Sequence, residues 1–329
     1  MLDRPPVAPR ERFTVRHAVR RGPSFAEEVR EGLTAIPKSI PPRYFYDSLG
    51  SALFVAICEL PEYTLTRAEA AILRASAAEM VRNFGAPARV VELGSGDCRK
   101  SRILLEAILE RQPALTFVPI DVDGGILESS ARELLASLPA LTIEAVRGDF
   151  RDVAEIVSPI HGGTAVLFLG STIGNLDPAS ASALLREVRR ILSPGDALLL
   201  GADLRKPKAI IEPAYDDALG VTAAFNLNLL ARINRELGGH FDLSKFGHRA
   251  FFNEEKSRIE MHLVSRERQR VNIHGLMVDL GEGETIHTEN SYKYTEADLQ
   301  KLADAGGFSL AQRWRDADNL FTDVLLLAR

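Results

Sequence analysis

The sequence predicts an α/β protein, a parallel sheet built from βαβ units that carries an inserted, smaller α+β lobe. Three observations predict it. Between about Ala88 and Asp203, short apolar runs alternate with amphipathic segments. The first of those runs ends in two closely spaced glycines, Gly94 and Gly96. From Leu204 to Glu289 the rhythm changes to one long amphipathic stretch followed by period-two segments.

The elements follow in order. Arg89 to Glu92 reads as the first strand, Thr116 to Ile120 as the second, and Thr142 to Gly148 contains a weaker third. Ala165 to Gly170 is the fourth strand and Ala197 to Gly201 the fifth. Between these two, Asp177 caps a helix, Pro178 suits its first turn, and Ala181, Leu184, Leu185, Val188 and Ile191 keep helical spacing. Ser193-Pro194-Gly195-Asp196 ends it with turn chemistry. In the inserted part, Tyr215 to Leu237 reads as helix, and Ser257 to Val264 and Gln269 to Val278 as antiparallel strand. Thr295-Glu296-Ala297-Asp298 resembles a capping box opening a helix that stops at Gly306-Gly307, and Phe308 to Trp314 and Phe321 to Ala328 close the sheet. No repeat or low-complexity tract interrupts this pattern. The division expected is residues 1–22 as a flexible arm, 23–61 with 205–290 as a substrate-binding domain, and 62–204 with 291–329 as the cofactor-binding domain. A cleft between two such lobes is a common place for a small ligand.

Composition narrows the function. The 329 residues are 46% hydrophobic and 26% charged, which suits a folded core and excludes wholesale disorder. With 45 acidic against 40 basic side chains the formal net charge is -5, which argues against a nucleic-acid partner, since duplex binding needs a basic surface. No apolar run approaches the ~18 residues of a membrane helix, and the arginine-bearing start has no apolar stretch behind it, so neither a membrane partner nor a secretory signal is expected. Cys58 and Cys98 are too few for a disulfide framework and too far apart for a CxxC site, and a cytoplasmic location is expected. The sequence leaves the oligomeric state open and is compatible with a monomer.

Glu92-Leu93-Gly94-Ser95-Gly96 ends the first strand, where glycines let backbone approach a ligand and the following helix N-terminus points amides at it. Gly96 is followed by Asp97, Cys98 and Arg99, so the third glycine of a nicotinamide loop is missing. The acidic E-x-G-x-G form resembles the S-adenosylmethionine (SAM) loop of Rossmann-like methyltransferases. Two further features are ordered as that resemblance requires. Asp121 ends the second strand, where a carboxylate accepts both ribose hydroxyls, and Asp149-Phe150 follow the third, where one would bond the adenine amine and the other cover its ring. A bland reading, a tight turn with acids at ordinary strand ends, fits any one of these features but not three in order. Neither Gly94-Ser95-Gly96 nor Gly170-Ser171-Thr172-Ile173-Gly174 has nucleophile-elbow spacing. The seven histidines, His161 among them, never fall at H-x-x-x-H spacing, so no metal is expected, and Cys98 reads as a structural thiol.

At this point the motifs are specific enough to compare with a family. The chain resembles the ergothioneine-pathway histidine N-alpha-methyltransferases. The stretches that carry the resemblance are Pro41-Pro42-Arg43-Tyr44-Phe45-Tyr46-Asp47, Leu60-Pro61-Glu62-Tyr63, the Glu92 to Gly96 loop, and Phe168-Leu169-Gly170-Ser171-Thr172-Ile173-Gly174-Asn175. Ala214-Tyr215-Asp216-Asp217, Arg258-Ile259-Glu260-Met261 and Thr288-Glu289-Asn290-Ser291 complete it, so it covers the chain from about Ile36 onward. The resemblance implies three successive methyl transfers from SAM to the α-nitrogen of L-histidine, giving the trimethylammonium betaine hercynine and S-adenosyl-L-homocysteine. It implies Tyr46, Gly94, Lys100, Asp121, Asp149 and Phe150 around SAM. It implies Tyr63, Asn175 and Tyr215 at the amino-acid head group, Glu289 and Ser291 on the imidazole, and Met261 packed near that ring. The chain departs from the family at Asn290, between the two imidazole residues, and at Thr64, where a second aromatic is common. Both departures bear on substrate positioning. Fungal relatives that methylate a prenylated tryptophan share the scaffold, so tryptophan or another amino acid, and a SAM-binding protein without turnover, stay as alternatives.

Elementary chemistry agrees with histidine. Glu289 and Ser291 are two apart on what reads as a strand and so share a face. A carboxylate and a hydroxyl suit neutral imidazole, which has one donor and one acceptor. Indole has only a donor, and a buried unpaired polar group costs ~1–3 kcal/mol. The reaction asks mainly for positioning, which falls to Tyr63, Thr172 and Asn175, with Gly170, Ser171 and Thr172 leaving room for the growing ammonium. No side chain stands out as a general base.

Overall fold

The computed structural model describes residues 12–18, 22–160 and 163–329. β1 (Phe13–His17) is followed by α1 (Phe25–Thr34), β2 (Lys38–Ser39), α2 (Ser48–Cys58) and α3 (Leu65–Asn83). The alternating region runs β3 (Arg89–Leu93), α4 (Arg99–Leu109), β4 (Leu115–Asp121), α5 (Gly124–Ser137), β5 (Leu141–Arg147), α6 (Val153–Ile156), β6 (Thr164–Phe168), α7 (Pro178–Arg190) and β7 (Ala197–Asp203). Next come α8 (Lys208–Ile211), α9 (Val221–Leu237), β8 (Phe246–Asn253), β9 (Arg258–Ser265), β10 (Gln269–Ile273), β11 (Leu276–Leu280) and β12 (Thr285–Tyr292). The described chain ends with α10 (Glu296–Gly306), β13 (Phe308–Arg315) and β14 (Phe321–Ala328).

The main sheet has eight strands in the order β1-β5-β4-β3-β6-β7-β14-β13. Its members from β1 to β7 pair in parallel, and β14 runs antiparallel to both β7 and β13. Every residue of β3, β6 and β7 is buried, as expected of central strands covered on both faces. The predicted caps form: Asp177 accepts from the amides of Ala179 and Ser180, and Thr295 and Asp298 make a reciprocal capping box. β3 and β6 are neighbours, although β4 and β5 come between them in the chain. That pair is where the strand order reverses, so a crevice opens at their carboxyl ends.

The expectation of a free arm over residues 1–22 needs correction for its described part. β1 pairs in parallel with β5, from Phe13 against Ile143 to His17 against Arg147. Phe13 and Val15 turn toward the core, and Arg12 Nε donates to the Leu141 carbonyl at 3.2 Å. The segment satisfies the open edge of β5, an edge that is otherwise an unpaired row of backbone groups. Residues 1–11 and 19–21 lie outside the described residues, as does His161.

A second sheet, in the order β2-β12-β9-β8, and the β10-β11 hairpin build the smaller lobe, against which α1, α2 and α9 pack. Gln269 to Val278 is two strands, not one, because His274 and Gly275 both take positive φ and turn the chain back. The helix expected from Tyr215 starts at Val221, because the Asp217 carboxylate accepts from the Val221 and Thr222 amides at 3.0 and 2.7 Å and caps it there. The two sheets meet where Tyr294 N donates to Asp203 O and Arg205 N to Tyr294 O.

Candidate active site

The cofactor half gathers at the carboxyl ends of β3, β4 and β5. Gly94 and Gly96 take φ of +70° and +50°, which L side chains resist, and a Cβ on Gly96 would meet nothing within 4 Å. The loop therefore bares its backbone to the crevice. Asp121, the last residue of β4, accepts from Gly96 N at 2.9 Å and from Asp123 N at 3.0 Å, pinning the glycine loop to the strand end. Burial pushes the Asp121 carboxyl up, against the pull of those amides. Phe150 packs over Gly94 and tilts against Phe168 at 5.3 Å. Asp149 is held by the Arg151 side chain and accepts from Arg151 N, so its carboxyl stays below the usual range despite its burial. The bared loop, the strand-end carboxylate and the aromatic cover fit an adenosyl group.

Lys100 ion-pairs with Glu69, which sequence reasoning did not single out. Glu69 is fully buried, and both its oxygens accept from Gly170 N, at 2.8 and 2.9 Å. This clamp fixes the second loop, after β6, to α3. Burial raises the Glu92 carboxyl behind it to about 8.

The substrate half lies beside that loop. A cleft of about 520 Å³, counted with its open mouth, is lined by Tyr63, Thr172, Asn175, Tyr215, Met261, Glu289 and Ser291, seven residues that the sequence reading had grouped at one end of the site. Tyr46, expected on the cofactor side, lines it too, and the charges of both Glu289 and Asp121 add to burial in raising its hydroxyl, so it stands between the two halves. The remaining cofactor candidates, Gly94, Lys100, Asp121, Asp149 and Phe150, are not in this lining. Gly170, Ser171, Phe54, Ile57, Leu65, Ala214, Thr222 and Phe225 complete the wall. The apolar ones were missed because apolar wall and apolar core look alike in sequence. Tyr63 stands edge-on to Tyr215 and to Phe54, both at 6.2 Å.

Glu289 and Ser291 share the cleft face of β12 by alternation, but the residue that joins them from the start of the strand is not the one alternation gives. Counting back in twos from Ser291 would bring Glu289 and His287 to the cleft, yet Ile286 is the buried neighbour. A bulge between His287 and Glu289 inserts one residue and reverses the phase, so Ile286, Glu289 and Ser291 all turn inward. Thr288, at the bulge, donates to Met261 O at 3.0 Å. Asn290 turns to the opposite face and meets His287 Nε2 at 3.0 Å, so this departure from the family pattern lies away from the cleft. Burial lifts the Glu289 carboxyl to about 7, with the Lys293 charge opposing the rise.

Behind the cleft wall is a second feature that sequence reasoning missed. Lys293 and Asp203 are fully buried and ion-paired at 2.8 Å. The signal was there: Lys293 continues the two-residue spacing of Glu289 and Ser291, and Asp203 ends β7 as Asp121 ends β4. On the outer face of the lobe, Glu260, His262 and His287 place ligand atoms within 4.8 Å of one another. Glu260 is already held by Asn253 and, at 2.7 Å, by Arg258, a cationic neighbour that opposes a metal ion.

The chain as a whole is similar to known proteins. The sequence profile of the SAM-dependent, histidine-specific methyltransferases matches residues 25–328. The chain belongs to this family. The histidine N-alpha-methyltransferase of Mycolicibacterium smegmatis is 48% identical over 286 residues, covering 86% of this chain and 88% of that one. The enzyme of the same name from Mycobacterium tuberculosis is 44% identical, covering 89% and 91%. The ergothioneine biosynthesis protein 1 of Neurospora crassa is 28% identical over 84% of this chain but only 32% of its own length. This methyltransferase therefore spans nearly all of its bacterial relatives, and corresponds to about a third of the fungal one.

Proposed function

We propose that this methyltransferase acts on L-histidine, adding three methyl groups in succession to its α-nitrogen to give hercynine, in the cytoplasm and on the path to ergothioneine. The observation that carries the reading is the buried pair Glu289 and Ser291, an acceptor and a hydroxyl two apart on β12 and turned to the same cleft. Neutral imidazole offers one donor and one acceptor, and each finds a partner there. The identity to bacterial histidine N-alpha-methyltransferases supports the same reading, and the two unpaired cysteines suit the cytoplasm.

Bound SAM supplies a methyl group already activated on a sulfonium sulfur. Gly94, Gly96, Asp121, Asp149 and Phe150 would hold its adenosyl part, and Lys100 and Tyr46 its amino-acid end. The work left to the chain is positioning. Tyr63, Asn175 and Tyr215 would hold the head group so that the deprotonated amine faces Gly170 and Thr172, at the mouth of the cofactor crevice. Fixing two reactants in this way replaces a bimolecular encounter by a unimolecular one, a large term in such reactions. Small Gly170 and Ser171 leave space as the ammonium grows. The lobe formed by residues 23–61 and 205–290 would carry the substrate and residues 62–204 with 291–329 the cofactor, the latter also reaching the substrate through Tyr63, Asn175 and Ser291.

The test supplies SAM with each amino acid separately and reads product mass. Histidine alone should gain three methyl groups. Methylation of tryptophan in preference to histidine, or SAM binding without turnover, would overturn the reading.

A further inference from the structure

Lys293 follows the last residue of β12 and has no side-chain exposure, yet it is not part of the cleft lining. Its ammonium stands 2.8 Å from Asp203 Oδ2, 2.8 Å from the Tyr215 hydroxyl and 2.9 Å from Ser291 Oγ. An ammonium has three donors and no acceptor capacity, so these three contacts use all of it. Tyr215 and Ser291 are also 2.8 Å from each other. Both oxygens must therefore accept from Lys293, and one of the two hydroxyl protons is taken up between them. A single hydroxyl proton remains, and both groups line the cleft.

We infer that Lys293 is a positioning residue that polarises Tyr215 and Ser291, so that the Tyr215 hydroxyl donates to Ser291 Oγ and Ser291 presents the one free donor to the imidazole, opposite the acceptor Glu289, while Tyr215 keeps its place at the head group as an acceptor. This rests on the histidine reading above and deepens it: the wall then offers one donor and one acceptor, the complement of a neutral imidazole and of no apolar ring. The charge that does this is itself held in place. Asp203 Oδ1 is 2.6 Å from the nearly buried Lys206, and Asp203 N donates to Ser171 Oγ at 2.9 Å. Ser171 has a φ of +56°, in the left-handed region, on the loop that faces the reacting nitrogen. The polarised wall and the methyl-transfer loop thus meet at one buried residue, Asp203, through its carboxylate and its backbone amide respectively. Burial alone would lower the Lys293 ammonium, but Asp203 outweighs it and keeps the group charged.

The test compares L-histidine with β-(2-thienyl)-L-alanine, a ring of similar size with neither donor nor acceptor nitrogen. In Lys293→Met the two hydroxyls are free to turn, so the histidine KM should rise ~10-fold or more while the thienylalanine KM moves less than about threefold. SAM affinity, read by calorimetric titration, should stay within about twofold, since the residue does not line the cofactor crevice. A folded Lys293→Met enzyme in which both KM values are unchanged, or rise together, overturns the assignment. Asp203 would be left as a buried anion in that variant, so Lys293→Met with Asp203→Asn is made alongside, removing the pair together. The double variant should show the same KM split. If neither variant folds, the pair is structural and the assignment falls. Failure of the unmodified enzyme to methylate histidine would remove the underlying reading. Histidine turnover with an unaltered KM ratio in the variants removes only the role of Lys293.

Discussion

Glu289→Gln separates what the cleft costs the fold from what it does for the substrate. Glu289 is buried, and its carboxyl is displaced from an ordinary 4.5 to about 7. The folded chain then binds this proton more tightly than the unfolded chain does, so stability falls as pH rises from 4.5 to about 7 and is level above that. At about 1.36 kcal/mol per pH unit, the displacement amounts to ~3 kcal/mol, of which ~2.5 is lost between pH 5 and pH 8. Glutamine has the same shape and no such term. The Tm of the variant should therefore gain on the wild type by roughly 3–4 °C between pH 5 and pH 8, for a 329-residue chain unfolding in one step. Calorimetric scans of both proteins, free of SAM and histidine, across that range measure it. At the same time histidine kcat/KM should fall ~10-fold, because a charged acceptor becomes a neutral one. Parallel Tm-against-pH curves would refute the reasoning, since they would mean that Glu289 is not a buried, displaced acid.

Other perturbations reach the remaining parts of the site. Asp121→Ala should weaken SAM binding by about two decades or more in a calorimetric titration, because two ribose hydroxyls lose a charged acceptor worth ~1.5–3 kcal/mol per bond and the Gly96 loop loses its anchor. Gly170→Ala places a methyl group 3.0 Å from Lys100 Nζ at a φ of +76°, and should cost ~1–2 kcal/mol of stability in denaturant melts, with reduced turnover. Glu289→Ala with Met261→Val should lose histidine activity and gain some turnover of tryptophan in steady-state kinetics, since Met261 faces Glu289 across the sheet and bounds the ring space. Burial pushes both thiols up, the nearly inaccessible Cys98 far more than Cys58, so neutral alkylating reagents followed by mass spectrometry should modify Cys58 slowly and Cys98 only on unfolding.

The sequence by itself determined the parallel sheet, because buried parallel strands are near-continuous apolar runs and their helices carry an amphipathic stripe that no other arrangement satisfies. Through a family resemblance it also pointed to seven of the side chains that line the cleft, since the loop after Phe168 and the stretch from Thr288 to Ser291 are unusual enough to be recognised as motifs. Only the tertiary structure decided the rest. β1 exists because β5 has an open edge, a property of the folded sheet and not of the five residues that fill it. That Ile286 and Glu289, three apart, share a face depends on a bulge, which is set by pairing with β9 and cannot be seen in the alternation of β12 alone. Glu69 on Lys100 and Gly170, and Asp203 on Lys293, join residues far apart in the chain, 31, 101 and 90 positions respectively by their numbers. A buried charge is stable only where its partner is brought to it, and local sequence holds no record of a partner that arrives by folding.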